Sequence, residues 1–142
     1  MPKRNSMQIQ FSSNSLNESF ARVAVAAFIS QLDPTVEELY DIKMAVSEAV
    51  TNSIIHGYDN SEDYEICIKC AYEDEIVSIE VIDYGKGIAD IEEAMTALYT
   101  TSADEERAGL GFTVMQSMMD EIQVFSEVGN GTTIKMKKSL GV

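Results

Sequence analysis

The chain has no run of about 18 apolar residues, the length a membrane-spanning helix requires, and its start, MPKRNSMQIQF, lacks the apolar core of a signal peptide. These two absences predict a cytoplasmic protein that does not enter a membrane. Cations are scarce: ten Lys and Arg stand against 24 Asp and Glu, a net charge of −14. No long basic tract offsets that excess, so direct binding of nucleic acid, which needs clustered cations to displace counterions, is not expected. A basic protein partner is compatible with the charge, although dispersed acid mostly reports solubility. Cysteine is limited to two residues, spaced as CIKC inside the alternating run YEICIKCAY. Cys67 and Cys70 have opposite parity and would face opposite sides of a sheet, which argues against a shared metal or disulfide and for packing. The phosphate motifs GxxxxGK(S/T) and GxGxxG are also missing. No internal repeat or linker interrupts the 142 residues, so 1–142 is expected to be a single domain with one core.

Hydrophobic residues make up 45% of the chain, ordinary for a globular protein. MQIQF alternates as a first strand. SLNE, Ser15 to Glu18, has the form of a capping box, and Phe20, Val23, Ala24, Ala27 and Phe28 follow at helical spacing. Asp33 and Pro34 stop that helix, and TVEE opens a second one in the same capping form, ending near Gly57. Tyr64 to Tyr72 and Ile76 to Asp83 read as a hairpin across EDE, a loop longer than the ideal two-residue turn. From Tyr84 to Gly111 the chain is polar and bounded by glycine, with a short amphipathic piece around Ile91 to Leu98. A helix from Leu110 to Met119 precedes a second hairpin, EIQVFSE and TTIKMKK around VGNG. The order predicts an α+β two-layer sandwich, a mixed, mostly antiparallel sheet with helices on one face.

Chemistry enters with VSEAVTNSIIHGY. Glu48, Asn52 and His56 recur every four residues and share one side of a helix, while Val46, Ala49, Val50 and Ile54 occupy much of the rest. Downstream, DYGKG (Asp83 to Gly87) sits at a strand end and GLGF (Gly109 to Phe112) opens a helix. Glycine lets a backbone approach a ligand closely, and a helix start offers free N–H groups to an anion. Each cluster alone reads as a turn.

Their combination is more specific. ExxxN with HG on one helix, DxGxG after the third strand, GxG before the last helix and GTT (Gly131 to Thr133) between the final strands resemble the GHKL superfamily of ATP-binding kinases and ATPases. NESFARVAVAAFISQLDPTVEEL joined to AVSEAVTNSIIHGY is similar to the sporulation anti-sigma factors that double as serine kinases, and with that segment the similarity covers nearly the whole chain.

The resemblance implies ATP and Mg²⁺ as cofactors. It makes Glu48 the general base and Asn52 a Mg²⁺ ligand, with His56 orienting its neighbours. Asp83 would read the adenine amino group, Gly85 and Gly87 would keep the floor low, and Thr133 would add a hydroxyl at the same edge. Residues 88–108 would form a lid, with Thr101, Arg107, Gly109 and Gly111 meeting the nucleotide. A sporulation sigma factor would contact the first helix around Glu18 and Arg22. The substrate would be an anti-anti-sigma protein, and the protein would be a homodimer. Plainer readings stand beside these: a local carbonyl bond for His56, a β-branched strand position for Thr133, and an i,i+4 ion pair for Glu18 and Arg22. The alternatives in function are a stress-response anti-sigma-B type kinase and a non-catalytic, nucleotide-dependent sigma-binding module. A detached histidine-kinase domain would need a dimerisation helix with a phosphoacceptor histidine, and gyrase-like or Hsp90-like ATPases need large further domains.

Overall fold

Five alternating segments make one sheet. In a computed structural model that describes residues 3–87 and 103–141, the side chains of 103–110 excepted, the strands are β1 (Arg4–Ser12), β2 (Glu65–Glu73), β3 (Ile76–Asp83), β4 (Glu121–Glu127) and β5 (Gly131–Ser139). They lie in the order β1-β2-β3-β5-β4, and every pairing is antiparallel. One face carries Phe11, Ile66, Ile68, Val77, Ile79, Val81, Ile134 and Met136, all buried. Helices α1 (Asn17–Ile29), α2 (Val36–Asn52) and α3 (Ala103–Met118) provide the second layer, with α2 packed against both of the others. The α+β two-layer sandwich expected from the sequence is the fold observed. Among the described residues no helix is long and apolar enough to cross a membrane.

α2 begins where TVEE said it would. The Thr35 hydroxyl accepts the Glu38 N–H at 3.0 Å, and the Glu38 carboxylate accepts the Thr35 N–H at 2.8 Å. Its inward residues Ile42, Ala45, Val46, Ala49 and Val50 are completely buried, and each larger one stabilises the fold by about 1.5–3 kcal/mol. Upstream, Asp33 takes a left-handed conformation (φ 51°) that ends a short 3-10 turn, Ser30–Leu32.

Three local expectations are corrected. SLNE does not cap α1: the helix starts at Asn17, no side chain caps it, and Asn14 instead accepts the Leu16 N–H at 2.9 Å. An Asx turn has won over the Ser15 cap. The EDE loop is a two-residue turn, because Glu73 still pairs with Ile76 and only Asp74 (φ 53°) and Glu75 remain between the strands. α3 starts at Ala103, so GLGF lies within the helix and does not open it. The run ADEERA is rich in good helix formers, and acids favour a first turn, so it carries the helix over two glycines that each cost about 1 kcal/mol. The amphipathic piece around Ile91 to Leu98 lies outside the described residues.

Cys67 and Cys70 do face opposite ways. Cys70 joins the core, where burial pushes its thiol up to about 12. Cys67 lies on the helix-free face between Gln10 and Ile82. On that face Lys69, Glu80 and Lys135 align across three strands, and Lys135 pairs with Glu80 at 3.3 Å.

Both ends of the described chain gather at the β2–β3 turn. The Asp74 N–H bonds the Lys3 carbonyl at 2.6 Å, and the Leu140 N–H bonds the Glu75 carbonyl at 2.9 Å. The Gly141 N–H donates to Glu38 at 2.7 Å. Donors from the Thr35 and Gly141 backbones hold the Glu38 carboxyl below its ordinary value of 4.5. A lowered native value means stability that is present above pH 4.5 and lost as pH falls through the native value. Glu38→Ala should therefore destabilise the protein modestly at neutral pH, since it removes one half of the reciprocal capping box on a solvent-accessible side chain. The difference should shrink in urea titrations run at progressively lower pH.

Candidate functional site

At the pole opposite the chain ends, the core-facing row of the sheet turns polar. Register aligns Phe11, Ile66, Asp83, Thr132 and Ser126 across the five strands. Asp83 and Thr132 are buried, and the Thr132 and Ser126 hydroxyls are 2.8 Å apart. The Gly85 N–H donates to Asp83 Oδ1 at 3.0 Å. Burial pushes the Asp83 carboxyl above its usual value, opposed by hydrogen bonds from the Gly85 backbone, the Ser53 side chain and the Thr132 backbone. A carboxylate so placed is a hydrogen-bond acceptor with little access to water.

α2 supplies the other functional groups. It is α-helical through Asn52 and then widens into a π turn, Ser53–Gly57, closed by the Tyr58 N–H on the Ser53 carbonyl at 3.0 Å. Single π turns of this kind are frequent at functional sites. Glu48 and Asn52 stand one turn apart on the same side of the helix. Asn52 is buried, and its amide makes no hydrogen bond among the described residues. Glu48 is half-buried against α3, where a Cβ at Gly111 would lie only 3.1 Å from its Oε2. His56 is half-buried inside the π turn, so the wider turn and not the 3.6 period sets its direction.

The DYGKG glycines are explained first by the chain's own packing. A Cβ at Gly85 would stand 2.1 Å from the Gly57 carbonyl oxygen. Gly87 has φ +76°, and a Cβ there would meet the Glu127 carbonyl at 2.2 Å.

The structure thus brings Glu48, Asn52, Asp83, Gly85, Gly87 and Gly111 to one end of the molecule, with His56 in the adjoining turn. It does not bring Thr133: that residue pairs with Ile82 and Phe125 on the helix-free face, and Thr132 stands beside Asp83. Thr101 and lid residues 88–102 lie outside the described residues. Gly109 and the backbone of Arg107 belong to α3, and the Arg107 side chain is outside the description. On α1, Arg22 pairs with Glu18 at 3.4 Å and also reaches the α2 hydroxyl of Ser47 at 3.5 Å. Sequence reasoning missed Ser53, Tyr58 and Thr132. Only Thr132 left a signal: Ile134 and Met136 must face the core, and parity puts Thr132 on their side.

Residues 12–138 match the histidine kinase-like ATPase domain. The chain belongs to that family, as the motifs implied. Within it, the chain is 60% identical to an anti-sigma F factor of Clostridium novyi, across 96% of this chain and 95% of that one. It is 58% identical to an anti-sigma F factor of a Thermoanaerobacter species, across 99% and 98%, and 56% identical to one of Clostridium beijerinckii, across 97% and 96%. A crystal structure of the RsbU and RsbW domains of Rv1364c from Mycobacterium tuberculosis shares the fold at a TM-score of 0.70 and 19% identity, covering 96% of this chain and 32% of that one.

The raised Asp83 carboxyl gives a stability test. A group whose native value lies above its unfolded one stabilises the fold fully below its ordinary 3.8 and loses that contribution as pH rises. Without nucleotide, Asp83→Asn should therefore melt a few degrees higher than the parent at neutral pH, with the gap closing in thermal scans below pH 3.8.

Proposed function

We propose that the chain is a cytoplasmic anti-sigma factor that binds a sporulation sigma factor and uses ATP to phosphorylate a serine of an anti-anti-sigma protein. The buried Asp83 carboxylate at the polar end of the sheet carries this reading. It is an acceptor suited to the 6-amino group of adenine, with Thr132 beside it. The histidine kinase-like ATPase family supports ATP as the nucleotide, and the names of the relatives support a sigma factor as the partner.

Glu48 is the base: it takes the proton of the serine hydroxyl as that oxygen bonds the γ-phosphorus and ADP leaves. Asn52 offers a buried hard amide oxygen that makes no hydrogen bond among the described residues, the donor type that Mg²⁺ takes. Among the described residues no cluster of three or more acidic, His or Cys side chains could hold a metal, in keeping with an ion bound mainly through phosphates and water. When bound, Mg²⁺ supplies charge neutralisation at the phosphates.

Residues 88–108 form the lid of this single domain, with Thr101 and Arg107 meeting the nucleotide beside Gly109 and Gly111, while His56 orients its neighbours from the π turn. The sigma factor docks on α1 around Glu18 and Arg22, where Leu16, Phe20 and Val23 are exposed, and two copies of the chain form the working dimer. Glu48 held against α3 favours a working kinase over a non-catalytic binding module, and the anti-sigma F relatives favour sporulation over stress response.

Asp83→Asn tests the nucleotide assignment. It leaves one carbonyl oxygen for the Gly85, Ser53 and Thr132 donors and replaces the other acceptor with an NH₂ donor. ATP affinity should fall about tenfold or more, the loss expected when a buried polar group is mismatched. ITP, whose 6-oxo group accepts a hydrogen bond, should gain on ATP in calorimetric titrations; an unchanged ITP-to-ATP ratio would remove the adenine assignment. Glu48→Gln should lower transfer of labelled phosphate by about 10²-fold or more while nucleotide still binds. Undiminished transfer would rule Glu48 out as the base.

A further inference from the structure

We propose that Tyr58 is a positioning residue for base recognition, acting through the width of the gap between β2 and β3 at the turn that carries Asp83. The inference rests on Asp83 being the adenine acceptor.

The last aligned pair of the β2–β3 ladder is Ile66 with Asp83. One step further, Glu65 and Tyr84 would supply the next rung. Instead the Tyr58 hydroxyl stands between them, accepting the Tyr84 N–H at 2.7 Å and donating to the Glu65 carbonyl at 2.7 Å. A single oxygen replaces a direct backbone bond, so the strands are held apart by its width just where the chain turns toward Gly85.

The oxygen is held firmly in place. Tyr58 is buried, and its ring stacks on Tyr64 with centroids 4.8 Å apart and planes 7° from parallel. Its backbone N–H closes the π turn on Ser53, the residue whose side chain bonds Asp83. The preceding carbonyl, of Gly57, accepts the Lys86 N–H at 3.1 Å on the far side of the same turn. Burial pushes the phenol above its ordinary value, so it remains protonated and able to donate. Removing this oxygen leaves Tyr84 N–H and Glu65 C=O free to close directly on each other. The turn then moves, and Asp83 with it, although Tyr58 itself lies behind the site as a spacer.

Tyr58→Phe removes the oxygen and little else. The readout is the ratio of ITP to ATP dissociation constants, measured by calorimetry for the parent, Tyr58→Phe, Asp83→Asn and the double variant, each checked for native circular dichroism. Tyr58→Phe should lower the ratio roughly threefold to tenfold, the worth of one hydrogen bond, and should add nothing in the Asp83→Asn background. A parental ratio in Tyr58→Phe overturns the proposal, as does an equal loss for both nucleotides, which would mark a merely structural role. An Asp83→Asn variant with the parental ratio is a different failure: it removes the adenine assignment on which the proposal stands. Amide hydrogen exchange on the unmodified protein gives an independent check. The Tyr84 N–H should be protected, and free exchange there would overturn the proposal even if Tyr58→Phe did not fold.

Discussion

Gly57 and Gly85 meet backbone to backbone, closer than any side chain on Gly85 would allow, and the Lys86 N–H bonds the Gly57 carbonyl at 3.1 Å. This contact joins the end of the central helix to the end of the central strand. Asp83 sits directly beneath it, since a Cβ at Gly57 would fall 2.9 Å from its Oδ1. With that junction fixed, α2 acts as a rigid rod, and Glu48 and Asn52 are placed by counting turns back from it. The site is therefore specified by one close approach and one helical repeat.

That arrangement puts a carboxylate, a hydroxyl pair and the buried Asn52 amide where core would otherwise continue. The fold tolerates them because the polar row lies at the margin of a large apolar layer. Ile66, Ile68, Ile79, Val81 and Ile134 bury fully or almost fully beneath α2, and its own Ile42, Val46 and Val50 are completely enclosed. Each such side chain stabilises the fold by about 1.5–3 kcal/mol. One raised carboxyl with three donors is small beside that sum. The apolar layer runs up to the polar row itself, since Ile66 pairs directly with Asp83, so the two share a boundary.

Much of this was legible in the residues. Alternation located every strand, and TVEE located the start of α2 because its two reciprocal hydrogen bonds are local. SLNE has the same spelling and failed, because Asn14 offered the backbone a competing local bond that no pattern of spacing registers. Glu48, Asn52 and His56 stood out as polar groups spaced along one side of an apolar helix, while Asp83 was singled out only through the DxGxG motif of the resemblance. Thr133 was chosen over Thr132 although the alternation of Ile134 and Met136 already decided between them. Ser53 and Tyr58 could not be read at all. Their roles depend on a π turn, a change of helical period made by tertiary packing, and on a hydroxyl seated between two strands far apart in sequence.

The described chain enters at Lys3 and leaves at Gly141, and both residues are fastened around the β2–β3 turn. A tether at either end therefore pulls from one pole. Tension there would peel β1 from β2 one hydrogen bond at a time, not shear the whole ladder at once, because β1 is an edge strand that begins at that pole. Mechanically the molecule is soft where it is held and unloaded where Asp83 and α2 meet. An attached neighbour can tug on the chain, and the strand ends that carry the polar row are the last part of the sheet to feel it.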